Sequence, residues 1–178
     1  MTPDDRFAEC AAFTLHQEDQ TDSGVFENDP RDPGGATRWG VTQATLSTWF
    51  GRPASVDEVR NLPRDTALAI ARHNYWTPTR CDDLPAGVDL MVFDMAYNAG
   101  CGTAARILQT VVGVPSDGAI GPATLKAVTG RDADTLIGAL AEAQLAHYRA
   151  LLGWATFGNG WGRRVADRRD TARLMAHR

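Results

Sequence analysis

The sequence predicts a mainly α-helical fold with one small β-hairpin. Three observations carry this. Apolar residues recur at helical spacing over most of the 178 residues. Ser, Thr or Pro stands before many of those stretches and Gly after them. One stretch, residues 25–41, breaks the period with Pro30, Pro33, Gly34, Gly35 and Gly40, while Thr37, Trp39 and Val41 alternate as in a strand.

Thr2 and Pro3 open the first helix, with acids in its first turn. Phe7, Ala11, Thr14 and Leu15 form its apolar stripe. Glu18 extends that stripe, about 20° from Phe7 at about 100° per residue, and is expected to turn inward. "DQTDSG" then ends the helix in a polar loop. After the hairpin, Thr42 caps a helix carrying Leu46, Trp49 and Phe50 that stops at Gly51. "SVDE" at 55–58 is a capping box. Pro63 opens a helix towards Trp76, and Pro85 opens one through Val88, Met91, Val92 and Met95 to Gly100. "TAARILQTVVG", "GPATLKAV", "ADTLIGALAEAQLAHYRALLG" and a last helix around 161–176 complete the chain. The total is about eight helices.

Bulk properties exclude several classes. No run approaches the roughly 18 apolar residues of a membrane span. The N-terminus lacks the basic and apolar regions of a signal peptide, so synthesis in the cytoplasm is expected. Cys10, Cys81 and Cys101 show no C-x-x-C spacing and read as buried or incidental thiols; no metal site and no cofactor is expected. Net charge is −4, with eight acids in residues 1–30 and seven arginines in residues 149–178. A basic tail can meet an anionic polymer, or form a solvated helix face. The acidic chain argues against nucleic acid as partner.

Two constellations could carry chemistry. The first is Glu18 with the turn-rich hairpin. A carboxyl at a helix C-terminus suits a group that must carry a proton near neutral pH. Asp29 and Asp32 each precede a proline, in turns that hold a side chain in one place or bond their own backbone. Two carboxyls across a cleft are the basic layout of glycoside hydrolysis. Thr37 could hold a water. Trp39 could offer an apolar plate to a sugar ring, or belong to the core. The second constellation is "MVFDMAYNAG". Asp94 and Asn98 lie one helical turn apart, with Tyr97 between them in sequence. They can line a cleft floor or position helices. The turn "GVPSDGAIGPATLKAV" reads as a helix–turn–helix connector.

These residues carry a resemblance. "NDPRDPGGATRWGVT", residues 28–42, resembles the "NDPxDPGGxTxxGIT" signature of glycoside hydrolase family 108, bacterial and phage N-acetylmuramidases. "YWTPTRCDDLPAGVDLMVFDMAYNAG" is similar to that family's central helices. "GVPSDGAIGPATLKAV" resembles the core of peptidoglycan-binding modules, and "GNGWGRRV" fits the family's closing helix. The resemblance covers nearly the whole chain, about residues 7–168.

The resemblance implies a lysozyme-like fold that cuts the β-1,4 bond between N-acetylmuramic acid and N-acetylglucosamine. The family's acid is a glutamate ending the first helix, which selects Glu18. Nine residues separate Glu18 from Asn28 here, where the family's "EGGYVNDP" run is shorter, and Glu27 becomes a rival. Asp32 and Thr37 then place the attacking water, and Asp29, Trp39, Asp94, Tyr97 and Asn98 meet substrate. The implied layout is a catalytic region, 1–100, and a peptidoglycan-binding-type region, 101–178, packed as one compact unit. The implied partner is the peptidoglycan strand. The implied setting is a monomeric endolysin or secretion-system lysozyme, without membrane insertion, acting on the periplasmic wall after holin release or dedicated export. A lytic transglycosylase and a non-catalytic wall-binding accessory protein are the alternatives.

Overall fold

A computed structural model describes residues 2–18, 23–28 and 35–178. Among these are nine α-helices and one two-stranded antiparallel sheet, so the fold is mainly α and lysozyme-like, as the sequence predicts. The chain divides into two compact units: Ala11–His73, and Met1–Cys10 with Asn74–Arg178.

Helix α1 spans Pro3–Glu18. Thr2 and Asp5 cap it reciprocally. The Asp5 N–H donates to the Thr2 hydroxyl at 3.2 Å, and the Thr2 N–H donates to the Asp5 carboxylate at 2.9 Å. Phe7, Ala11, Thr14 and Leu15 are buried. Glu18 departs from the expectation: it is exposed, whereas Leu15, one turn earlier, is buried.

In the 11–73 unit, strands β1 (Thr37–Arg38) and β2 (Val41–Thr42) pair with Thr37 opposite Thr42 and Arg38 opposite Val41. Trp39 and Gly40 make the turn, with φ of 54° and 70°. Two consecutive positive φ values mark the tight hairpin turns that match strand twist. Trp39 is therefore a turn residue, where alternation implied a strand. Helix α2 (Gln43–Phe50) starts from Thr42, whose hydroxyl accepts from the Thr45 N–H at 3.2 Å. Helix α3 (Val56–Arg60) has the expected Ser55–Glu58 capping box, and α4 (Arg64–Ala71) follows Pro63. Their apolar faces, with Ala36 and Val41, bury Leu46, Val59, Leu62 and Ile70 as one core.

A π-helical turn, Arg72–Trp76, continues α4, and a 3₁₀ turn covers Cys81–Asp83. In the second unit the central helix is α5, Val88–Ala99, buried at every residue from Val88 to Ala96. It begins after Pro85, because Gly87 holds φ 83° and lies so close to α9 that a Cβ there would stand 2.2 Å from the Ala172 carbonyl oxygen. Against it pack α6 (Cys101–Val112), α8 (Ala133–Arg149) and α9 (Trp154–Ala176), and α7 (Pro122–Thr129) packs on α6. Helix α9 starts earlier than its glycines suggest, since Gly158 is covered by the Trp154 ring, 2.7 Å from where a Cβ would be. Phe7, Trp76 and Phe93 meet edge to face, with ring centroids 5.3 to 6.0 Å apart. No described helix is long and apolar enough to cross a membrane.

Arg6 on α1 belongs to this unit and holds Asp89 of α5. Its guanidinium donates to the Asp89 carboxylate at 2.8 Å and to the carbonyls of Leu84 and Asp82. Asp89 also accepts from the N–H groups of Gly87 and Leu90, each at 2.8 Å. Burial raises its pKa to about 6, against the pull of Arg6 and those two N–H groups. The folded protein thus keeps this proton to about pH 6, whereas an unfolded aspartate releases it near 4. The folded state binds more protons across that window, so this group's contribution to stability falls as pH rises from about 4 to about 6, by at most about 1.4 kcal/mol per pH unit. Urea unfolding of wild type and Asp89→Asn across that range is expected to show this slope only in wild type.

Candidate functional site

Glu18, Glu27, Thr37 and Trp39 border one small pocket of about 110 Å³, with Leu15, Val25 and Gly40. Different elements deliver them. Glu18 is the last residue of α1. Thr37 opens β1 and is bridged to Glu27: the Glu27 N–H donates to the Thr37 carbonyl at 2.9 Å and the Thr37 N–H returns to the Glu27 carbonyl at 2.8 Å. Residues so paired project their side chains to the same face. Along the 25–27 segment Val25 and Glu27 face the pocket, while Phe26 turns to the core under the Arg60 guanidinium.

Trp39 serves two surfaces. One part of the indole packs on the Leu46–Ile70 core, and its N–H donates to the Leu62 carbonyl at 3.2 Å. The remainder walls the pocket. Gly24 lies against the ring so closely that a Cβ would stand 2.2 Å from an indole carbon. Arg38 secures the same loop, donating through Nε to the Gly24 carbonyl at 3.0 Å and through Nη1 to the Arg60 carbonyl.

Asp29 and Asp32 lie outside the described residues. Asp94 is wholly buried. Arg164 of α9 grips it with two N–H groups, at 2.7 and 3.1 Å, and Arg168 adds a third at 2.5 Å. This is the helix-positioning role rather than a place on a cleft floor. The i, i+4 spacing does survive in another form: the Asn98 amide donates to the Asp94 backbone carbonyl at 2.7 Å. Asn98 itself is exposed, and Tyr97 is half-buried, its ring 4.9 Å from that of Tyr75. The spacing thus found the helix face but not the arginines that meet it, which come from 70 and 74 residues downstream.

A second concavity went unnoticed in the sequence. Helices α6 and α8 border a groove of about 500 Å³ lined by Thr103, Arg106, Ile107, Thr110, Ala143, Ala146 and His147. Arg106 and His147 are basic or can be, and no acid lines the groove. A Cβ on Gly118 would come within 3.0 Å of the Arg106 guanidinium carbon, so the "SDG" turn and Arg106 are fitted to each other. All three cysteines are free, and burial pushes the Cys10 and Cys81 thiols up. Among the described residues no group of three or more His, Cys, Asp and Glu side chains could hold a metal.

Glu18 and the hairpin residues Thr37 and Trp39 thus border one pocket, as the resemblance to a glycoside hydrolase family implies. The chain belongs to the glycosyl hydrolase 108 family, whose model matches residues 12–100. A second model, described as "Predicted Peptidoglycan domain", matches residues 103–166. Together they place the protein among peptidoglycan hydrolases. It is similar to the solved structure of Brucella abortus SagA, with 42% identity over 97% of this chain and 96% of that one, and a TM-score of 0.84. No curated protein matches the sequence.

The buried Asp94 cluster generates a stability prediction. Asp94→Ala leaves Arg168, itself wholly buried, without its counter-charge. The expected loss is about 3–5 kcal/mol in urea unfolding. A loss below about 1 kcal/mol, the range of exposed ion pairs, would contradict this role.

Proposed function

We propose that the protein is an N-acetylmuramidase that hydrolyses the β-1,4 bond between N-acetylmuramic acid and N-acetylglucosamine in peptidoglycan. The observation that carries this is Glu18, at the end of α1, sharing one pocket with Thr37 and Trp39 of the hairpin. Glu18 protonates the glycosidic oxygen as the bond to the anomeric carbon breaks. Thr37 and Asp32 place the water that adds to that carbon. Trp39 offers its indole to a sugar ring, and Asp29, Tyr97 and Asn98 supply further substrate contacts. Asp94 fixes the helix that carries Tyr97 and Asn98 through its pairs with Arg164 and Arg168.

In this reading residues 1–100 form the catalytic region and 101–178 the wall-binding region. The α6–α8 groove holds the stem peptides, whose carboxylates match an acid-free lining with Arg106 at its edge. The protein works as a monomer on the periplasmic wall, in the manner of a phage or prophage endolysin or a secretion-system lysozyme, reaching it through a holin or dedicated exporter.

Digestion of purified Gram-negative peptidoglycan, with mass spectrometry of the fragments, tests the chemistry. Wild type is expected to release fragments with N-acetylmuramic acid reducing ends, and Glu18→Gln to lose at least about 100-fold in rate. Anhydro ends would identify a lytic transglycosylase instead. Absence of any fragment would refute the enzymatic reading for this substrate. For the groove, Arg106→Ala is expected to weaken co-sedimentation with intact walls by about tenfold, the scale of one charged hydrogen bond. Glycan strands stripped of stem peptides should bind both forms alike.

A further inference from the structure

Four aromatic rings gather where α8 gives way to α9, and we infer that three of them, Trp154, Phe157 and Trp161, form a platform on which sugar rings of the glycan strand stack. The inference rests on the wall-binding reading of residues 101–178 and gives that region a contact to sugar, separate from the groove for stem peptides. The three residues stand at i, i+3 and i+7 on α9, which puts them on one face. Trp161 is central: its ring centroid lies 5.4 Å from that of Tyr148, 5.8 Å from that of Phe157 and 6.4 Å from that of Trp154. Tyr148 is buried and anchors the group, whereas Trp154 and Trp161 are half-buried and Phe157 is 58% exposed. The interplanar angles are 31° to 44°, so the rings lean together as tilted plates. Glycines fix the plates. A Cβ on Gly158 would stand 2.7 Å from the Trp154 indole, and one on Gly153 would stand 3.0 Å from Trp161 and 3.2 Å from Phe157. The rings therefore lie on bare backbone, held in place while still open to solvent.

Position and charge select the glycan as occupant. Helices α5 and α9 run antiparallel: Gly87 lies against Ala172, and Asp94 meets Arg168 and Arg164. One turn further along, Asn98 of α5 and Trp161 of α9 come to the same end of the pair. Tyr97 and Asn98 are substrate contacts in the reading above, so a strand that meets them runs on to the platform. An aromatic face is electron-rich and attracts the polarised C–H bonds of a pyranose ring. Arg149 brings a guanidinium over the Trp154 ring, 5.8 Å from its centroid, and residues 143–166 contain no acid. That charge matches the lactyl carboxylate which every N-acetylmuramic acid retains once its stem peptide is removed.

The test uses the full chain carrying Glu18→Gln, so that strands stay whole, and soluble glycan strands freed of stem peptides by an amidase. Strand binding is expected to shift tryptophan emission to the blue as the indoles lose water. Adding Phe157→Ala should weaken Kd by about tenfold, and Phe157→Trp should restore it. Phe157 is exposed, so its loss leaves the fold intact, which an unchanged Tm verifies. Arg149→Ala should bind more weakly and with less dependence on salt. Arg106→Ala, which acts on stem peptides, should bind these strands like its parent. If wild type releases fragments from walls but Phe157→Ala binds strands within about twofold of its parent, the platform is refuted and the muramidase reading stands. If wild type releases nothing and no strand moves the emission, both fall together. Sedimentation with vesicles of phosphatidylglycerol and phosphatidylethanolamine, lost in Phe157→Ala and without strand binding, would assign the face to a membrane. A dimer in analytical ultracentrifugation that Phe157→Ala dissolves, again without strand binding, would assign it to a second copy of the chain. Either result overturns the proposal.

Discussion

Asp94 has no contact with water, and an ionised carboxylate in that position is stable only if its charge is met within the protein. Arg164 and Arg168 meet it, one with a two-pronged grip and one from a site equally closed to solvent. Much of the second unit follows from this requirement. A guanidinium can approach a buried carboxylate only from an element packed directly against it, so α9 must run alongside α5. Gly87 permits that approach at the start of α5, and Gln144 of α8 ties the same helix through the Met91 carbonyl at 2.8 Å. The second buried carboxylate of α5, Asp89, is met by Arg6 from α1. One central helix therefore carries two charges that two different helices must answer, and each answer specifies a packing partner that apolar contact alone would leave interchangeable.

The same reasoning explains the arginine excess near the C-terminus. As a sequence feature it suggests a basic tail for an anionic polymer, or a solvated face. In the structure two of those arginines serve Asp94, Arg173 pairs with Asp134, and Arg178 pairs with Glu9. Two of the seven charges are spent inside the fold, and the pairs of Arg173 and Arg178 lie at its surface. Arg106, outside the tail, lines a groove whose lining residues include no acid.

What could be read in the sequence divides along the range of the interactions. Caps are local, and Thr42, Ser55 and the Gly51 stop appear where the residues put them. The stripe of α1 is local too, and it departs only at Glu18, which is exposed where Leu15, one turn earlier, is still buried. Trp39 alternates with its neighbours in type, yet its backbone is in the left-handed region, because a two-residue turn must reverse the chain between Arg38 and Val41. The fold of Asp94 into a buried pair could not be read, since its arginines are encoded far downstream. Glu27 was legible as a carboxylate near the motif, but its face is set by the bridge to Thr37, and an isolated bridge leaves no periodic trace.

The longer run between Glu18 and Asn28 raises the question of how the pocket keeps its form. Gly24 and Arg38 answer it. The Gly24 backbone lies against the Trp39 ring at a distance no side chain could share, and its carbonyl is held by Arg38. From that point the chain enters 25–27 with its register already set, so that Val25 and Glu27 face the pocket and Phe26 the core. Extra length before Gly24 therefore need not be transmitted beyond it. The aromatic turn that walls the pocket is also the surface that re-anchors the chain, which couples the position of Glu27 to Trp39 more tightly than to the length of the loop. A substitution that adds a Cβ at Gly24 strikes both at once, the wall and the register.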